Sequence, residues 1–154
     1  MPLQIAVIGA GTCDGDVYAL AMEVGRQVAR GGHVLLSGGL GGVMEAAARG
    51  ARQERGLTVG ILPTPTRHRA NPHIQIAIAT NMGHARNVVL AHSADAFIAV
   101  AGEYGTLSEI AIALKLGKRV VGLRTWDLPG VLKAEDPVEA LRLAVSGLDE
   151  RGAS

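Results

Sequence analysis

Six short apolar runs recur along the chain: LQIAVIG (3–9), HVLLSG (33–38), LTVGILP (57–63), IQIAIAT (74–80), ADAFIAV (94–100) and RVVGLR (119–124). Most are apolar at consecutive positions. A strand with one wet face alternates, whereas a strand covered on both faces does not, and the second pattern belongs to parallel sheets. Parallel neighbours need long crossovers, and the intervening segments supply them with helical spacing: DVYALAMEVGRQVARGG, GVMEAAARGARQERG, GHARNVVLAHSA and TLSEIAIALKLGK. The alternation predicts an α/β fold, a Rossmann-like doubly wound, mostly parallel sheet with helices on both faces. Glycines at 31–32, 56 and 117 read as helix C-caps, and Asp16 reads as the N-cap of the first helix with Asp14 beside it. Beyond Trp126 the pattern weakens, and DPVEALRLAVSGL reads as a last amphipathic helix with Pro137 in its first turn. No repeat or linker divides residues 1–154, which read as a single domain.

Bulk properties narrow the function classes. Hydrophobic residues at 48% and charged residues at 19% fit a packed core and exclude a disordered chain. A net charge of +1 exerts no general pull on nucleic acid or acidic membranes, and 3% aromatics leave few platforms for single strands. Cys13 is the sole cysteine, so no internal disulfide or Cys-rich metal site forms, and the five histidines lack metal-ligand spacing. A structural thiol is the reading for Cys13. The opening MPLQIAVIG carries no basic n-region, and no apolar run has the length of a membrane span. The expectation is a cytoplasmic protein with no metal site and neither nucleic acid nor membrane as partner.

In a doubly wound sheet, ligands bind beyond the carboxyl ends of the strands. Three of the segments expected there are rich in glycine. The first, with Gly9, Gly11 and Thr12, fails the G-x-G-x-x-G fingerprint because Asp14 stands at the third glycine. The next strand ends in glycines, without an acid for a ribose, so NAD is not the ligand. A plain turn and a nucleotide-lining loop remain equally open for it. The second segment, Ser37, Gly38, Gly39, Leu40, Gly41 and Gly42, has glycine at four of five positions from 38 and favours close approach of backbone to an anion. The third is AGEYGTLSE, residues 101–109. There Gly102, Gly105 and Thr106 offer a phosphate loop, but Thr106 and Glu109 also spell a capping box, T-x-x-E, which on this segment alone is the simpler account. Arg86, in MGHARN, is a candidate anion ligand or a solvated helix charge. The basic loop with Arg67, His68 and Arg69 stands near the strand ends.

Taken in order, SGGLGGVMEAAARGA, TVGILP, ARNVVLAHSADAFIAV and AGEYGTLSEIAIALKLGK resemble the Lonely Guy family, whose superfamily was long mislabelled as lysine decarboxylases. The short bacterial branch, which includes the molybdenum cofactor carrier protein, is closer still. The resemblance covers nearly the whole chain. It implies a Rossmann-like fold, usually a homodimer or higher homo-oligomer, and a small phosphate-bearing ligand. By motif, Arg86 and Glu109 match the family's catalytic pair. Gly102, Gly105 and Thr106 match its phosphate loop, and Gly38, Gly39, Gly41 and Gly42 the earlier glycine turn. Two functions follow: a binder of a nucleoside monophosphate or of molybdenum cofactor, with no other cofactor required, or a nucleoside 5'-monophosphate phosphoribohydrolase releasing a purine. Lysine decarboxylation does not follow, since neither Lys115 nor Lys118 stands in a Schiff-base site. Two residues depart from the signature P-G-G-x-G-T-x-x-E: Ala101 replaces its proline, a mild change in turn rigidity, and Glu103 replaces its second glycine. The second departure raises both charge repulsion and backbone strain, and tilts the expectation toward binding.

Overall fold

A computed structural model describes residues 2–148. Seven strands form one sheet: β1 (Gln4–Gly9), β2 (Val34–Ser37), β3 (Thr58–Leu62), β4 (Ile76–Ala79), β5 (Ala96–Val100), β6 (Arg119–Leu123) and β7 (Val131–Lys133). Their order is β4-β3-β2-β1-β5-β6-β7, and every neighbouring pair is parallel. The sheet is thus wholly rather than mostly parallel. The helices are α1 (Gly15–Arg30), α2 (Val43–Gln53), α3 (Arg86–Ser93), α4 (Tyr104–Lys115) and α5 (Pro137–Val145), with a 3₁₀ turn over Gly83–Ala85.

Consecutive apolar residues in the strands now have their cause. On one face Ile5, Val7, Ile98 and Val100 meet α1, α2 and α5; on the other Ala6, Ile8, Phe97 and Ala99 meet α3 and α4. Successive side chains point to opposite faces, and both faces are buried. Between α1 and α2 the packing is closest. A Cβ on Gly25 would stand 1.9 Å from the Ala47 carbonyl oxygen, and one on Gly50 1.9 Å from that of Met22. The alanines 46, 47, 48 and 51 complete this tight seam.

Three local expectations need correction. The N-cap of α1 is Asp14, whose Oδ1 accepts from the Val17 N–H at 2.9 Å, while Asp16 lies in the first turn. At the end of α2 the left-handed residue is Arg55 (φ 59) rather than Gly56. Strand β7 was not expected. It has three residues at the sheet edge, of which Leu132 and Lys133 are exposed, too short and too wet to produce an apolar run.

Candidate functional site

The strand order reverses between β1 and β5, and an open cleft of about 470 Å³ lies there at the carboxyl edge of the sheet. Gly9, Ala10, Gly11 and Thr12 line it from the end of β1, Leu40 and Gly41 from the loop after β2, and Glu103, Gly105, Thr106 and Glu109 from the start of α4. A larger hollow of about 600 Å³ opens at the opposite edge, around Asp95, Gly117 and Lys118, and includes no candidate residue.

The helix ends around the cleft differ. The first N–H of α2, from Val43, is taken by the Ala10 carbonyl at 3.1 Å. The N-termini of α1 and α5 are capped by Asp14 and Asp136. At α4 the cap position is Glu103, whose side chain makes no capping bond. Among the described residues nothing accepts from the N–H groups of Tyr104, Gly105 or Thr106, so this positive helix end opens on the cleft with its donors unfilled. The capping box therefore does not form. The helix starts two residues before Thr106, which is buried inside its first turn. Glu109 is thereby left free of a capping role.

Glu109 is half-buried and lines the cleft. Burial pushes its carboxyl up to about 7, and the positive charge of Arg86 only partly opposes this. No ion pair joins the two among the described residues. Arg86, the first residue of α3, turns inward instead: its Nη1 donates to the carbonyls of Gly38 at 2.7 Å and Ile61 at 2.5 Å, and its Nε to Asn87 Oδ1 at 2.7 Å. Burial lowers its pKa from the ordinary value, with Glu109 opposing. A guanidinium stays charged through such a shift. Arg86 ties the ends of β2 and β3 together, and it is not part of the cleft lining.

The sequence candidates thus divide. Gly9, Gly11, Thr12, Gly41, Gly105, Thr106 and Glu109 come together around the cleft. Ser37 is fully buried, its Oγ accepting from the Gly39 N–H. Gly38 is the seat of Arg86, since a Cβ there would lie 2.6 Å from Nη1. Gly39 packs on Leu62 and Gly42 on Ala10 and Gly11. Gly102 packs against Thr106 at the start of α4. Its φ is +104, and a Cβ would meet Thr106 Oγ1 at 2.4 Å. The loop with Arg67 and His68 borders a separate shallow hollow with Pro65, Thr66 and Ala79. Ala10 and Leu40 were missed as lining residues; both lie inside glycine runs, which was the available signal. At Cys13, burial and Asp14 raise the thiol pKa, which is the reverse of a reactive cysteine.

The two departures from the signature also resolve. Glu103 has φ −117 and ψ −153, extended backbone open to any residue, so no strain attends the lost glycine. At Ala101 the change is greater than a matter of rigidity, because its φ of 47 is closed to proline. Its N–H donates to the Leu123 carbonyl at 2.9 Å, and its own carbonyl accepts from Thr125 Oγ1.

The order of these loops around the switch point agrees with the comparison of families. The model of the SLOG cluster4 family matches residues 2–146. The chain belongs to that family. An uncharacterized protein of Archaeoglobus fulgidus is 53% identical over 145 residues, covering 94% of this chain and 95% of the relative. The cytokinin riboside 5'-monophosphate phosphoribohydrolase of Mycobacterium tuberculosis is 34% identical over 143 residues, 89% of this chain and 73% of that one. Among solved structures, the molybdenum cofactor binding protein of Rippkaea orientalis superposes with a TM-score of 0.88 at 35% identity, covering 100% of this chain and 99% of its own. This SLOG cluster4 member thus shares its fold with a binding protein and its ancestry with an enzyme. Among the described residues no helix is long and apolar enough to cross a membrane.

Proposed function

We propose that this protein binds a small phosphate-bearing molecule with a flat heterocycle, a nucleoside monophosphate or a pterin phosphate of the molybdenum cofactor kind. One observation carries the proposal: the start of α4 is uncapped, and its residues Gly105 and Thr106, whose amides are unfilled, line the cleft at the strand-order switch. An uncapped helix start offers converging N–H donors and a positive dipole end to a phosphate. Gly11, Gly41 and Gly105 keep the walls low enough for a ligand to approach backbone. The carboxylates of Glu103 and Glu109 face the same space and suit the ring N–H and amino donors of a purine or pterin. For molybdenum cofactor the fit is to its phosphate and its pterin, and the metal travels as cargo. The likeness to the Rippkaea orientalis binding protein supports this reading.

Isothermal titration with inorganic phosphate, AMP and a pterin phosphate tests it. Binding is expected, weakened at least tenfold in Gly105→Asp, where a carboxylate faces the same amides. The absence of heat from all three would sink the proposal.

A second reading, hydrolysis of the N-glycosidic bond of a nucleoside 5'-monophosphate, rests on Glu109. A carboxyl titrating near 7 and free of cap and ion pair suits proton transfer at neutral pH or stabilisation of an oxocarbenium-like sugar. The kinship with the Mycobacterium tuberculosis enzyme supports it. Chromatography of free base released from a panel of monophosphates, with Glu109→Gln alongside, separates carrier from enzyme.

A further inference from the structure

This chain has four aromatic residues, one Phe, one Trp and two Tyr. Phe97 is in the core on one face of the sheet, and Tyr18 packs partly buried against the core on the other. The other two stand together beside the start of α4, where Trp126 borders a separate hollow of about 490 Å³ with Thr125 and Val131. Tyr104 is 81% exposed, yet its ring is stacked on Trp126 with centroids 6.0 Å apart and 28° between planes. Trp126 is itself held, its Nε1–H donating to the Glu103 carbonyl at 3.1 Å. The bonds from Ala101 N–H to Leu123 and from Thr125 to Ala101 stitch the two loops together below the pair. Both sequence neighbours of Tyr104, Glu103 and Gly105, line the cleft.

An exposed tyrosine normally rotates freely and loses that freedom on contact with a ligand. Here the partner ring and the anchored loop have already restricted it, so little remains to be lost on binding. We infer that Tyr104, backed by Trp126, is a preformed stacking platform for the planar heterocycle of the ligand whose phosphate occupies the α4 amides. The inference deepens the proposed function and rests on it for the position of the phosphate. The ring chemistry selected is a flat bicyclic purine or pterin, because an aromatic face gains most from a broad π-surface. Glu103, one residue before the platform, supplies an acceptor at the ring's polar edge.

The test compares ligands that carry the phosphate alone, the ring alone or both. Ribose 5-phosphate, AMP, adenosine and neopterin are titrated into the full chain, with heat giving affinity. Emission from Trp126, the only tryptophan, reports contact at the platform. AMP is expected to bind about five- to a hundred-fold more tightly than ribose 5-phosphate, the range that base stacking provides, and to quench Trp126. Tyr104→Ala brings that ratio close to one, while Tyr104→Phe keeps it, and circular dichroism establishes that both variants are folded. Adenosine or neopterin binding with the same dependence on Tyr104 supports the platform even if ribose 5-phosphate does not bind, an outcome that removes only the phosphate assignment; the tighter of the two identifies the ring. Equal affinities for AMP and ribose 5-phosphate, a ratio indifferent to Tyr104→Ala, or no binding by any ring-bearing compound would overturn the platform.

Discussion

Glycine serves opposite purposes in two regions of this molecule. In the α1–α2 seam, Gly25 and Gly50 are surrounded: main-chain oxygens of the other helix occupy the space a side chain would need. Around the cleft, Gly11 and Gly105 have nothing within 4 Å of where a Cβ would stand. One set is needed because the protein is already there; the other leaves space open in the cleft wall. Between these extremes lie Gly38 and Gly102, where side chains fill the space: Arg86, behind the cleft, and Thr106, in its wall. Glycine content alone therefore says little about a ligand, and neither does open space by itself, since Gly15, Gly32 and Gly117 are as empty as Gly11 and lie outside the cleft lining.

The contrast predicts a graded series. Gly25→Ala should have the largest effect, because the clash is with backbone and the helices must part. A loss of about 3 kcal/mol, the upper part of the range for overpacking, is expected in urea denaturation. An unchanged midpoint would show that the seam is looser than described. Gly38→Ala comes next. Its methyl displaces the Arg86 guanidinium from two carbonyls, and leaving such groups unmatched costs about 1–3 kcal/mol. The same titrations should show ligand affinity falling with it, since the loops after β2 and β3 lose their tie.

Glu109→Gln tests the charge at the cleft wall. Burial raises the folded carboxyl from an ordinary 4.5 to about 7, so the folded state holds its proton more firmly than the unfolded chain does. Stability therefore falls as pH rises from about 4.5 to 7 and levels off above that. The variant lacks that decline: it should match wild type near pH 4 and melt at a higher temperature at pH 8. Parallel curves would place Glu109 in a wetter setting. Smallest of all in stability is Gly11→Ala, expected within about 0.5 kcal/mol of wild type, as for a surface change. Its methyl projects into the cleft, so AMP affinity should still fall severalfold. A destabilised but fully binding Gly11→Ala would reverse the comparison.

How far the sequence revealed this depended on whether the controlling interaction was local. Strands β1 to β6 announced themselves by apolar residues at consecutive positions, which burial on both faces writes in β1 and β5; β4, at one edge of the sheet, carries the same run with Ile76 and Ile78 exposed. The three residues of β7, at the other sheet edge with two of them exposed, carried no such mark. The loops after β1, β2 and β5, which line the cleft, were legible as candidates from glycine placement and the switch-point rule. Which glycines face the cleft was not legible, because that is decided by partners distant in sequence: Arg86 at Gly38, Ala47 at Gly25. The capping box was a sound local reading that failed for a tertiary reason. Helix α4 begins at Tyr104, where the loop is tied to residues 123–126, and this moves Thr106 inside the first turn. Arg86 was found as a candidate, yet its inward orientation followed from the carbonyls of β2 and β3, which no pattern near residue 86 encodes.

The turn at Ala101 has a consequence for how such chains are recognised and how they change. Its φ of 47 lies roughly 110° from the value a pyrrolidine ring imposes. Proline there would also delete the N–H that reaches Leu123. Exchanging alanine for the signature's proline is therefore not a one-letter edit. The backbone would have to be rebuilt and the link to β6 surrendered in the same step. A search pattern that insists on proline sorts by the shape of the turn, and passes over members whose cleft is assembled from the same three loops.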